Sequence, residues 1–136
     1  MRRFASALLL VLLIAPAWAA PSTMVGSWFG HGQPDDKSAM YIDRMRADGS
    51  WRGEYRTCVK GKPRDQVQTG RWSLAGDVIT LSVQQVDGQP FARTDLYRML
   101  SHDAQNQVYV VMFSNFRYTP RRMADDFKMP GCDLVS

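Results

Sequence analysis

Ile79, Leu81 and Val83 alternate with Thr80, Ser82 and Gln84. A stretch of strict period two sends one set of side chains into a core and the other into water, which marks a half-buried strand. Similar short runs of β-branched and aromatic residues recur down the chain at near-regular spacing, cut by turn signals. They predict eight strands, over 24–31, 38–47, 50–59, 65–74, 78–86, 91–101, 107–115 and 117–124. The turns fall at Asp48-Gly49, Ala75-Gly76-Asp77, Asp87-Gly88 and Asp103 to Asn106, where Gly admits positive φ and Asp or Asn tolerates it. Connections this short make sequential strands neighbours. The fold class is therefore all-β, an eight-stranded antiparallel meander closed into a barrel.

The first residues follow a different pattern. Arg2 and Arg3 precede an apolar run from Ala5 to Ala15; Pro16 breaks it, and Ala17-Trp18-Ala19 presents small residues where signal peptidase reads. This three-part pattern predicts a cleavable signal peptide over 1–19 and a single mature domain over 20–136. The run is too short to span a bilayer, so no transmembrane segment is expected after cleavage. The mature protein is then periplasmic or secreted. Its charge also changes: the whole chain carries 17 basic and 13 acidic residues, but Arg2 and Arg3 leave with the signal. The remaining balance gives no reason to expect a nucleic-acid partner. Arg44, Arg46, Arg52, Arg56, Lys60, Lys62 and Arg64 cluster within one stretch, which reads as a solvated face of alternating strands.

The chain has two cysteines, Cys58 and Cys132. In an oxidising compartment an even count favours a disulfide. Alternation in the third strand sets Trp51, Tyr55, Thr57 and Val59 against Arg52, Glu54, Arg56 and Cys58, so Cys58 lies on the outer face. Residues 125–136 carry no strand pattern, and Pro130-Gly131 precedes Cys132. The bridge would strap this tail across the outside of the barrel. The seventh strand is apolar on both faces, Val108, Val110 and Met112 against Tyr109, Val111 and Phe113. One face lines the core; the other is covered by the tail or left as a patch for a partner.

Gly26-Ser27-Trp28 at the head of this meander resembles the Gly-x-Trp signature that opens the first strand of lipocalins and related calycins. Thr94-Asp95-Leu96-Tyr97 is similar to the Thr-Asp-Tyr element of a later lipocalin turn. Gly70-x-Trp72 followed by Gly76-Asp77-x-Ile79-Thr80-Leu81 is similar to small bacterial lipocalin-like domains. The resemblance implies that Gly26 and Trp28 are structural. It also implies that a late arginine packs over the Trp to close the barrel floor. Arg117, Arg121 and Arg122 are the candidates, with Arg121 assigned the place. A disulfide from a mid-barrel strand to the C-terminal region, here Cys58 to Cys132, fits the same family.

Chemistry is sparse. His31 and His102 lack the spaced partners of a zinc site, and no nucleophile or phosphate-loop motif is present. Glu54, the only glutamate, sits beside Arg52 and Arg56 and reads as an ion-pair partner. No cofactor, metal or catalytic residue is assigned. The aromatics are more informative: Tyr55, Trp72, Tyr97 and Tyr109, turned inward, would line an apolar pocket with polar tips. A plain packed core would use the same residues. The expected function is a non-enzymatic binding protein for a small apolar or amphipathic ligand. The alternative is a protein-binding envelope module, such as a hydrolase inhibitor, a stress factor or an immunity protein.

Overall fold

A computed structural model describes residues 22–32 and 38–135. The expected signal peptide lies outside the described residues, as does most of the connection between the first two strands. Nine strands form one antiparallel sheet: β1 (Gly26–His31), β2 (Ala39–Met45), β3 (Ser50–Val59), β4 (Lys62–Ala75), β5 (Val78–Val86), β6 (Gln89–His102), β7 (Gln107–Val111), β8 (Arg117–Tyr118) and β9 (Arg121–Met123). Each strand from β1 to β7 pairs with the next, and β9 pairs with β1. The sheet curls into a half-barrel.

The count is nine rather than eight because the last expected strand is broken at Thr119-Pro120. Proline has no N–H to give a ladder, so pairing stops there. Arg117 and Tyr118 pair with β7, while residues 121–123 pair with β1. Between them the Pro120 carbonyl accepts from Gln107 N at 3.1 Å, and Arg122 N donates to Gln105 O at 2.9 Å. One short segment therefore touches both ends of the sheet. The seventh strand is shorter than expected, ending at Val111. There the chain turns, with Asn115 in the left-handed region and its N–H on Val111 O.

The long β3–β4 hairpin also begins earlier than the sequence pattern suggests. Lys60 and Gly61 both have positive φ, 51° and 73°. That pair makes a two-residue turn of the kind that matches strand twist, so β4 starts at once at Lys62. Arg56 reinforces the register, donating to both carboxylate oxygens of Asp65 at 2.7 Å.

The tail lies on the outer face of β1 to β3. Arg44 donates to the backbone carbonyls of Asp125 and Phe127, at 2.7 and 2.5 Å. The Phe127 ring packs on Phe29 at 5.3 Å, and Arg56 reaches Pro130 O at 3.0 Å. The Cys58–Cys132 disulfide then ties the tail down, with Cα atoms 5.6 Å apart. Met40 and Ile42 alternate to this outer face and are nonetheless buried. Three arginines of the basic stretch are held by such polar contacts: Arg44 and Arg56 as above, and Arg52 with Arg44 on Glu54, at 3.1 and 3.5 Å.

Because the tail crosses β1 to β3, it does not cover β7. The outer face there holds an open cleft of about 420 Å³, lined by Arg98, Leu100, Val110, Met112, Asn115 and Arg117. Phe113 in the adjoining turn is 87% exposed.

Opening the disulfide should cost about 4 kcal/mol of stability in the chain-entropy account. Urea titration of Cys132→Ser against the parent chain measures it. An unchanged midpoint would mean that the tail does not depend on the bridge.

Candidate functional site

One end of the half-barrel is sealed by β1 and β9. Trp28 is fully buried, and its indole N–H donates to Met24 O at 2.8 Å. The Arg122 guanidinium lies over the ring at 4.4 Å, a cation–π contact. Its nitrogens also donate to the carbonyls of Val25 and Thr23, both at 2.7 Å, and to that of Ala104. Gly26 makes room for this arrangement: its φ is +143°, and a Cβ there would fall inside the guanidinium. The Gly-x-Trp pattern thus has a local cause. The arginine in this place is Arg122, not Arg121. Trp28 and Arg122 are register partners, so both face inward, while Arg121 alternates outward and is exposed. The sequence pattern could not set that phase across the Pro120 break.

Toward the other end, where the β3–β4 and β5–β6 hairpins turn, the interior is lined by tyrosines. Tyr109 donates to the Tyr41 hydroxyl at 2.9 Å. Tyr97 meets Tyr109 edge-on at 5.3 Å; Tyr118 stacks on Tyr109 at 5.3 Å and meets Tyr41 edge-on at 5.8 Å. Gly30 permits this packing, since a Cβ there would lie 2.6 Å from the Tyr41 ring. Tyr55 and Tyr97 are half-buried, more open than Tyr41 and Tyr109. Beside them Arg93 pairs with Asp95 at 2.9 Å and donates to Gln68 at 2.9 Å.

Among these rings lies Asp43, 7% exposed. Its Oδ1 accepts from the Trp51 indole at 3.0 Å. Burial pushes its pKa from 3.8 up to about 7, against the smaller opposing effect of the Trp51 bond. Burial, and after it the Asp43 charge, hold the hydroxyls of Tyr41 and Tyr55 well above their ordinary range. The phenols of Tyr97 and Tyr109 are raised as well, again chiefly by burial.

Three of the four expected ligand-facing residues, Tyr55, Tyr97 and Tyr109, thus meet on the inner face. Trp72 does not join them. Its indole donates to Arg46 O at 2.8 Å, at the β2–β3 turn by the sealed end. The sequence reading missed Tyr41, Tyr118 and Asp43. In β2, Met40 and Ile42 are apolar on one face and Tyr41 and Met45 on the other, so alternation alone does not say which face holds the acid. Elsewhere, His102 bonds to Thr23 and His31 packs on Phe29 at 5.4 Å. Among the described residues no cluster of three or more His, Cys, Asp or Glu could hold a metal. No protein-family model matches the chain, and no curated protein matches it.

The Asp43 environment sets a pH dependence. Its folded pKa lies above the unfolded value, so between about pH 4 and 7 the folded state keeps a proton that the unfolded state releases. Stability therefore falls as pH rises through that window, by about 4 kcal/mol at most. Asp43→Asn keeps an acceptor for Trp51 and has no charge to bury. Denaturation midpoints of this variant should be flatter from pH 4 to 7 and higher than the parent at pH 8. An unchanged slope would assign the dependence to another group.

Proposed function

We propose that this chain is an exported, non-enzymatic binding protein of lipocalin-like build. It holds a small amphipathic molecule among Tyr55, Tyr97 and Tyr109. The observation that carries the reading is the polar character of the inner face. A core built for stability alone favours Leu, Ile and Val, whose burial leaves no polar atom to satisfy. Here phenols and a carboxyl occupy that space, and a strongly shifted acid in an interior is a mark of functional sites. The segment 117–123, paired to both β7 and β1, supports reading the half-barrel as a closed calycin-type barrel. The disulfide is compatible with an oxidising compartment and so supports periplasmic or secreted location, as the signal pattern implies. Among the described residues no helix is long and apolar enough to cross a membrane.

A second reading, a protein-binding envelope module, draws on the outer cleft beside Leu100 and Val110 and on the exposed Phe113. The two readings place binding on opposite faces of the same strands.

Fluorescence titration with N-phenylnaphthylamine separates them. The inner site predicts saturable binding at one molecule per chain, weakened about tenfold, or roughly 1.4 kcal/mol, by Tyr97→Ala and unaffected by Leu100→Ser. Loss on Leu100→Ser alone would move the binding face outward and contradict the proposal.

A further inference from the structure

Resting on that reading, we propose that the inner site selects a small organic cation, a short alkylamine bearing a protonated amino group, with Asp43 as its counter-ion. Asp43 is a buried acid for which the described residues supply no cation. None of the ion pairs among the described residues includes it.

The cations nearest the interior are committed elsewhere. Arg93 is held by Asp95 and Gln68. Arg122 is held on Trp28 and by three backbone carbonyls. Arg44, one residue away, points outward to the tail.

The titratable groups on the inner face carry no positive charge to spare. Tyr41 shares the strand of Asp43, and Tyr55 projects from β3. Asp95 and Tyr97 project from β6, beside the paired Arg93. Tyr109 and Tyr118 come from β7 and β8. The inward residues of β1, β4 and β5 that face the cluster, such as Trp28, Gln68, Leu81 and Val83, do not ionise.

This set matches an ammonium group. Such a group brings one positive charge and several N–H donors; a carboxylate and phenol oxygens are acceptors, and tyrosine faces attract cations. A ligand cation would make the ionised acid favourable, because a buried charge is tolerated when paired and hydrogen-bonded. An anion would meet Asp43 and Asp95 and be repelled. The interior packing limits size: a Cβ on Gly53 would lie 2.6 Å from the Trp51 ring and 2.7 Å from the Tyr55 hydroxyl. A group that reaches the acid must therefore be small.

Binding couples to a proton. Below neutral pH Asp43 is protonated, and the incoming ammonium displaces that proton to solvent. The O–H bond of the acid breaks, and an ion pair with the intact ammonium takes its place.

Calorimetry with n-butylammonium chloride, n-butanol and sodium butyrate on the mature chain tests this. Butylammonium should bind about tenfold or more tightly than butanol at pH 8, and butyrate should not bind. Its affinity should fall by up to about tenfold per pH unit below 7, with proton release in matched buffers. Asp43→Asn should lose the preference for butylammonium over butanol while still binding butanol. Equal binding of butanol and butylammonium would overturn the cation and leave the small-ligand site standing. Butylammonium binding that survives Asp43→Asn would place the cation elsewhere and overturn the assignment. No binding of any of the three would overturn both.

Discussion

The stacking of Arg122 on Trp28 organises this molecule. It draws the last strand against the first, and it works only because Gly26 leaves room for the guanidinium. The same arginine satisfies three backbone carbonyls from two separate parts of the chain. One end of the curled sheet is thereby filled with an apolar plug of Trp28 and Met24, both fully buried. The tyrosines gather toward the opposite end, and Asp43, the cross-strand partner of Trp28, stands where this structural half of the interior meets the chemical half.

That chemical half is costly to fold around. A carboxyl shifted as far as Asp43 opposes folding at neutral pH by about 4 kcal/mol at most. The disulfide contributes about the same amount in the opposite sense. A tail that covers Met40 and Ile42 from outside adds burial the sheet alone would lack. The outer layer thus offsets an interior that is not optimised for stability.

Much of this was legible in the residues. The hairpin turns at Asp87-Gly88 and Asp48-Gly49 and the outward face of Cys58 followed from alternation and turn chemistry, while its bridge to Cys132 and the strapped tail followed from a pair of cysteines in a chain with an export pattern. What was not legible depended on phase. Pro120 interrupts the pairing of residues 117–123, so the sequence could not say whether Arg121 or Arg122 faced inward. Asp43 was hidden for a related reason: the tail buries the outer face of β2, making both faces of that strand apolar. Trp72 alternates inward as expected, yet its place along the strand puts it at the sealed end. Alternation gives the side of a sheet; it does not give the height within a barrel.

Asp43 is a buried acid for which the described residues supply no positive charge. Carbon-detected NMR titration of its side-chain carboxyl addresses this at the atom concerned. Its midpoint should lie near 7 in the free protein, as burial dictates, and move downward when butylammonium is added. A midpoint in the ordinary carboxylate range, unmoved by the amine, would contradict it.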